Sequence, residues 1–284
     1  MCEPGTQLMQ TFLPYPSFAE SAAVLDTPRL GKQRVETLQI LRASLLPSYG
    51  WQNHPVTLMW RGYLPALTAY GLATVAAWTD RGHTDSTHAL IAEFAPEVDG
   101  MPEEELGRRG MLPAWVGDEA VHRSHRSNLI RKAPEHYGPL FPGTPGDLDY
   151  VWPPAADRHP VRPAGRDLWI VRPLTDAMSE EWLDQGIVAM GERSPLGRET
   201  PKWRAQLSEF VDALEPGTEI ATLVGNEPVL HRGTVTGDLQ TRQLESGAVS
   251  LVRTVDYTGT LSRGDFAIPA ILQDPRSVFL APLR

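Results

Sequence analysis

The sequence predicts two domains, a helical one followed by one that combines strands and helices in a small barrel. Its 284 residues, 41% of them hydrophobic, suffice for two cores of ordinary size. Residues 153–166 include four prolines, which remove backbone donors and prevent a helix. Helical spacing precedes this stretch, and short apolar runs follow it. We therefore expect an all-α domain over residues 1–152, a linker over 153–166 and an α+β barrel over 167–284.

Start signals mark the first two helices. Ser17 and Glu20 have the spacing of a capping box and precede an apolar run, which predicts a short helix. Thr27 and Pro28 fit the N-cap and the first residue of a second helix, because proline is favoured in the first helical turn.

Two longer patterns complete the helical domain. Apolar side chains recur at helical spacing from residues 53–55 to Trp78, and we expect Pro65 to kink this third helix. Residues 121–132 predict a further helix that ends before Pro134. The acidic run of residues 103–105 fits a solvated loop or a helix start.

Short apolar runs between turn residues predict the strands of the second domain. These runs cover residues 169–172, 187–190, 219–224, 229–236, 249–257 and 277–280. Helices fit residues 179–185 and 202–214. The mixture predicts a small, strongly bent sheet or barrel with helices around it.

Composition argues against several classes of protein. A net charge of -9 disfavours a protein that coats DNA, since Lys and Arg supply nonspecific affinity, but it allows one local basic cleft. No stretch approaches the roughly 18 apolar residues of a membrane span. The N-terminus lacks the basic start and apolar core of a signal peptide. We expect a soluble, cytoplasmic protein.

Cysteine and histidine usage argue against a metal site. Cys2 is the one cysteine, which excludes an intramolecular disulfide and a cysteine-based zinc site. His122 and His125 are three residues apart, but the sequence offers no obvious third ligand. We expect no metal, no other cofactor and no obligatory protein partner.

Five ordered segments of the first domain carry a family resemblance. They are residues 10–15 (QTFLPY), 25–36 (LDTPRLGKQRVE), 50–57 (GWQNHPVT), 124–129 (SHRSNL) and 137–138 (YG). Together they resemble a bacterial branch of the pyrimidine-dimer DNA glycosylase family over residues 9–152. Family members of the phage type are helical proteins that flip a nucleotide out of the duplex. They attack C1′ with their N-terminal amine and cut through a Schiff base. The resemblance implies a base in DNA as the target.

The resemblance also implies a catalytic carboxylate and an amine. The family's key Glu lies a few residues before a Pro-Arg pair, and Asp26 takes this place before Arg29. Asp26 could stabilise a sugar cation or steer a proton, or it could merely favour the helix dipole. The family's amine aligns near Met9, whose own amine is free if translation starts there. If the chain instead starts at Met1, removal of Met1 would expose the amine of Cys2. Either amine could act at neutral pH, and simple hydrolysis with Asp26 orienting water is the alternative.

Basic side chains predict contacts with DNA. The candidates are Arg29, Lys32, Arg34, His54, Arg126 and Arg131. The first three follow a helix start, where N–H groups and cations bind phosphate, although an ordinary solvated helix face explains them equally well. His54 opens another helix, where it either contacts the nucleotide or caps local backbone.

Three segments of the second domain resemble PUA-like domains of the EVE and restriction-system type. They are residues 168–173 (LWIVRP), 182–191 (WLDQGIVAMG) and 233–237 (GTVTG). Such domains read modified bases, often in an aromatic pocket. The resemblance suggests Trp169, Arg172, Trp182, Met190, Trp203 and His231 as pocket residues. Each apolar one also fits an ordinary core, so Arg172 at a strand end is the preferred functional candidate.

Together the two resemblances predict a DNA glycosylase, with or without lyase activity. It would excise a damaged or modified base flipped out of DNA, either in repair or in defence against phage with modified DNA. One alternative is a noncatalytic sensor of modified DNA or RNA. Another is an RNA-modification enzyme or RNA-binding adaptor.

Overall fold

A computed structural model describes residues 10–154, 165–191, 200–223, 228–245, 247 and 249–284. The chain divides into two compact units, Met1–Arg162 and Pro163–Arg284. Cys2 and Met9, the two expected amine carriers, lie outside the described residues, as does most of the expected linker. Within the described ranges, every helix is too short or too polar to cross a membrane.

The first unit is helical, which confirms the prediction for this region. Its helices are α1 (Phe18–Ala23), α2 (Thr27–Leu45), α3 (Pro55–Trp60), α4 (Leu64–Asp80), α5 (His88–Ala92), α6 (Glu103–Arg108), α7 (Glu119–Lys132) and α8 (Pro134–Tyr137). A 3₁₀ turn at Pro96–Val98 separates α5 from α6. The acidic run is a helix start, because Glu103 to Glu105 form the first turn of α6.

Two helix starts differ from the prediction. The N-cap of α2 is Asp26 rather than Thr27, since the short Asp26 carboxylate accepts the N–H of Arg29. The expected third helix is two helices, α3 and α4. Gly62 between them has a φ of 82°, a left-handed conformation that breaks the helix. Pro65 then lies in the first turn of α4, where its missing N–H breaks no hydrogen bond, so no kink arises.

Helices α2 and α4 pack along each other in the first unit. Gly31 allows this approach, because a Cβ there would lie 2.9 Å from the ring of Trp78. A buried segment over residues 10–14 precedes α1. A core cluster that includes Phe12 and Leu30 joins this segment to α2. The segment over residues 10–14 is thereby held against α2.

The second unit contains a curled mixed sheet that forms a half-barrel. Its described strands are β1 (Asp167–Val171), β2 (Ile187–Gly191), β3 (Glu219–Leu223), β4 (Val229–Val235), β5 (Gln240–Gln243), β6 (Val249–Ser262) and β7 (Val278–Pro282). The strand order is β2-β6-β4-β3-β1-β7, with β5 paired to β6. Only β1 and β3 run parallel among the described pairs. The second unit also contains helices α9 (Asp176–Gln185) and α10 (Pro201–Asp212). The likeness to PUA domains stays a prediction.

Candidate active site

Asp26 holds the start of α2 with both carboxylate oxygens. Its Oδ1 accepts the backbone N–H of Arg29 at 2.9 Å, and its Oδ2 pairs with the Arg29 guanidinium. The backbone N–H of Asp26 donates to the Tyr137 hydroxyl at 3.0 Å. These contacts favour the interpretation of Asp26 as a helix cap.

Arg29 ties the start of α2 to the end of α7. Its Nη2 donates to the backbone carbonyl of Lys132 at 3.0 Å. Its guanidinium also lies 5.4 Å from the centre of the Tyr137 ring, within range of a cation–π contact. The two helix ends therefore bring Arg29 and Lys132 together.

A second carboxylate, Glu36, lies within α2, ten residues after Asp26. The sequence-based prediction of catalytic residues did not include it. It is 8% exposed, and the Lys32 ammonium lies 3.3 Å from its Oε1. Burial raises the pKa of Glu36, while the charges of Lys32 and Lys132 and a hydrogen bond from the Gln10 backbone act in the opposite direction. Glu36 is thus a buried acid at the described start of the chain.

The Gln33 side chain holds the segment that begins at Gln10 against α2. Its Oε1 accepts the N–H of Phe12 at 3.0 Å, and its Nε2 donates to the carbonyl of Gln10 at 2.7 Å. Gln33 and Glu36 are three residues apart on a helix, so they share a face. The segment that begins at Gln10 therefore lies beside Glu36.

Four cations of α2 and α7 lie close together, and we call them the basic cluster: Arg29, Lys32, Arg131 and Lys132. Two of them, Lys32 and Lys132, act on Glu36. Burial lowers the pKa of Lys132, and the positive charges of the other three lower it further. Glu36 acts in the opposite direction. Repulsion among these cations shows that positive charge is concentrated here, although the chain has a net charge of -9.

Two other predicted DNA contacts are engaged within the first unit. Arg34 pairs with the nearly buried Asp85 and lies 4.3 Å from the centre of the Trp78 ring. Arg126 donates to the carbonyl of Pro14 at 2.8 Å and pairs with Glu119. These partners favour structural roles for Arg34 and Arg126.

His54 caps α3 and lies among aromatic rings. Its Nδ1 accepts the N–H of Val56 at 3.2 Å, so its Nε2 carries the proton. That Nε2 is buried and has no hydrogen-bond partner among the described residues. Burial also lowers the pKa of His54, which keeps the ring neutral at pH 7. The centres of the Trp51 and Trp152 rings lie 5.3 and 6.2 Å from His54.

The two histidines of α7 clamp the backbone of Leu13. His125 Nδ1 accepts the Leu13 N–H at 2.8 Å, and His122 Nδ1 lies 2.9 Å from the Leu13 carbonyl oxygen. Burial lowers the pKa of His125 to about 3. Both rings are neutral side chains that fix the buried segment before α1.

Most candidate base-reading residues of the second unit lie in its core. Trp182 and Trp203 belong to one buried cluster together with Met190. The Trp203 Nε1–H donates to the carbonyl of Gly191 at 3.2 Å. These placements favour packing roles over base stacking for the three side chains.

Three other candidates lie on the strands of the half-barrel. The Arg172 guanidinium donates to the carbonyls of Leu272 and Asp274 at 2.7 and 2.5 Å, so it fixes the turn before β7. Trp169 on β1 and His231 on β4 are half-buried. Of the predicted pocket residues, Trp169, Arg172 and His231 are half-buried, whereas Trp182, Met190 and Trp203 are buried.

Comparison with known proteins gives one match. Residues 9–90 match a family model described as pyrimidine dimer DNA glycosylase, which is less than half of the chain. No curated protein and no solved structure matches. The matched range includes Gln10, Asp26 and Glu36, whereas Arg131 and Lys132 lie beyond it. Over this range the chain is similar to pyrimidine dimer DNA glycosylases.

Proposed function

We propose that this protein is a DNA glycosylase that removes a damaged or modified base, with Glu36 as its catalytic carboxylate. The observation that carries the proposal is a buried acid, paired with Lys32 and influenced by the charge of Lys132, beside the segment that begins at Gln10. This segment is also where the match to the glycosylase family model begins.

Base excision uses a negative charge near the sugar and positive charges near the phosphates. Cleavage of the glycosidic bond leaves positive charge on the sugar, which an ionised Glu36 stabilises. The raised pKa of Glu36 also suits proton transfer during the reaction, because such a group holds and releases protons nearer to neutral pH. The basic cluster binds the phosphates on either side of the nucleotide.

Glu36 replaces Asp26 as our choice of catalytic acid. The Pro28-Arg29 pair directed the sequence-based choice to Asp26, but both oxygens of Asp26 hold Arg29. Asp26 then acts as a positioning residue, since it fixes Arg29 beside the backbone of Lys132.

The lyase step needs a free amine near Glu36. Met9 directly precedes Gln10, whose backbone contacts Glu36, whereas Cys2 is several residues further away in sequence. We therefore favour a Schiff base between C1′ and the Met9 amine in a protein whose translation starts at Met9, because only then is that amine free. A chain without a free amine there would release the base by hydrolysis alone.

The second unit is proposed to read the modification. Its half-barrel offers half-buried Trp169 on β1 and His231 on β4, two strands that flank β3 in one sheet. This assignment gives the enzyme a preference for a modified base over a pyrimidine dimer. Repair and defence against phage are both compatible with such a preference.

Product analysis tests the proposed function. The protein is incubated with plain, ultraviolet-irradiated and hypermodified DNA, and abasic sites and borohydride-trapped adducts are measured. Wild type should form abasic sites on one of these substrates. Glu36→Gln should lower the rate at least about 100-fold, because it removes the charge and the proton-transfer group. Glu20→Gln, which changes an exposed acid of α1, is the matched control and should match wild type.

Each outcome has a distinct meaning. Abasic sites without adducts support hydrolysis, and adducts support the amine route. The capping contacts of Asp26 favour one alternative, a noncatalytic sensor of modified DNA. That alternative replaces the proposal if the protein binds modified DNA but forms no product on any substrate.

A further inference from the structure

Trp51 combines two features that are rare together. Its side chain is 47% exposed, although tryptophan is among the most apolar residues. Its φ is 70°, the left-handed conformation that residues with a Cβ avoid, and it is the only non-glycine residue with a positive φ in the described part of the chain. Strained residues of this kind persist where the surrounding structure fixes them, often at functional sites.

A tight turn before α3 fixes this conformation. The backbone N–H of His54 donates to the carbonyl of Trp51 at 3.0 Å. The Trp51 ring packs edge-on against His54, with 5.3 Å between ring centres. The turn therefore fixes the backbone of Trp51, and the contact with His54 favours this orientation of the exposed indole.

The ring of Trp51 begins an aromatic row that leads to Glu36. We define this row as Trp51, His54, Trp152 and Tyr150. The ring centres of His54 and Trp152 are 6.2 Å apart, and those of Trp152 and Tyr150 are 5.2 Å apart. Burial raises the pKa of Tyr150 to about 12, while the nearby charges of Arg131 and Glu36 act on it in opposite directions. The row therefore ends at Tyr150, which lies within the electrostatic range of Arg131 and Glu36.

We propose that Trp51 stacks on a nucleobase of the DNA that the basic cluster holds, next to the nucleotide that is excised. The inference rests on the proposed function, since it takes DNA as the substrate. Every base offers an aromatic face, so stacking requires no particular sequence. A fixed indole loses little conformational freedom on binding, and a neighbouring base that has lost its stacking partner gains a new one.

A binding experiment tests this role separately from catalysis. The probe is a duplex with a tetrahydrofuran analogue of an abasic site, which has no glycosidic bond to cleave, and affinity is measured by fluorescence anisotropy. Trp51→Ala should weaken binding roughly 5-fold to 150-fold, the range for loss of one base–aromatic stack. Trp51→Phe should retain part of the affinity. The control Leu174→Ala removes a side chain of similar exposure, 43%, and should bind like wild type.

A spectroscopic readout identifies the stack directly. With 2-aminopurine placed beside the tetrahydrofuran site, wild type should change the probe's fluorescence on binding, and Trp51→Ala should not. Trp51→Gly covers the case in which folding suffers, because glycine adopts the φ of 70° without strain. It should keep the native circular-dichroism spectrum and a cooperative unfolding transition, yet bind as weakly as Trp51→Ala.

The outcomes separate this inference from the proposed function. Folded Trp51→Ala or Trp51→Gly protein with wild-type affinity and the wild-type fluorescence change would overturn the role of Trp51, even if wild type excises a base. Absence of any DNA binding or excision by wild type would instead overturn the proposed function, and this inference with it.

Discussion

At the scale of single residues, Glu36 combines a functional and an energetic role. Burial raises its pKa, so the folded protein binds this proton more tightly than the unfolded chain does. The free energy of unfolding therefore falls as pH rises from the ordinary pKa of Glu through the raised pKa of Glu36. The ionised state that would stabilise the sugar cation is thus the one that costs stability.

Glu36→Gln should accordingly be at least as stable as wild type at pH 7. Glutamine keeps the shape and the hydrogen-bonding capacity of the acid but does not ionise. Below the ordinary pKa of Glu, about 4.3, this difference should vanish because wild type is protonated in both states. Thermal unfolding of both proteins between about pH 4 and 8 measures this difference in stability. A variant that is less stable than wild type at pH 7 would show that the ion pair with Lys32 outweighs the cost of burial.

At the scale of elements, α2 carries the acid and two cations of the proposed site on successive turns. Arg29, Lys32 and Glu36 follow one another at spacings of three and four residues, so they line one side of the helix. Leu38 and Leu41 are buried on the same helix. One amphipathic element thus supplies both core and chemistry, and its start determines where Arg29 lies.

The cap of α2 gives a test that separates positioning from catalysis. Asparagine caps helices about as well as aspartate, so Asp26→Asn keeps the helix start and removes only the charge. We expect excision within about tenfold of wild type, since loss of a pair at the surface has small energetic effects. Asp26→Ala should lower the free energy of unfolding by about 1 kcal/mol. Excision kinetics and urea unfolding measure the two effects.

Abolished excision in stably folded Asp26→Asn protein would return the catalytic role to Asp26. Retained excision would instead support Glu36. Because the two acids differ in position on the same helix, the single and double variants with Glu36→Gln assign the chemistry.

At the scale of the whole molecule, the protein holds its basic cluster on a chain with a net charge of -9. The excess of acid weakens nonspecific attraction to DNA, while the local cations attract phosphate at one place. This distribution suits an enzyme that engages DNA at a single site.

Salt dependence distinguishes phosphate contacts from structural arginines. Lys132→Ala should reduce the slope of log affinity against log salt by about 0.9, because one phosphate contact is lost. Arg34→Ala should leave the slope unchanged but destabilise the fold, since it deprives the nearly buried Asp85 of its ion pair. Binding titrations at several salt concentrations and thermal unfolding provide both readouts. An unchanged slope for Lys132→Ala would remove Lys132 from the DNA contacts.

Periodicity in the sequence predicted most elements of the second unit. The apolar run at residues 187–190 gave β2, and residues 229–236 gave most of β4. Strand β5 was missed because its sequence, QTRQ, is polar and mostly exposed. In the first unit, periodicity also failed to predict the break between α3 and α4. This break depends on the left-handed conformation of Gly62 rather than on an apolar pattern.

The sequence by itself determined the helical and mixed units and the match of residues 9–90 to a glycosylase family, because these depend on local spacing and on ordered motifs. Only the tertiary structure decided which acid lies beside Gln10, the first described residue. Glu36 gains its burial and its neighbours from Gln10 and Lys132, which are distant in sequence and reach it through packing. Local patterns carry no information on such contacts, so Asp26 beside Pro28 was the more visible candidate.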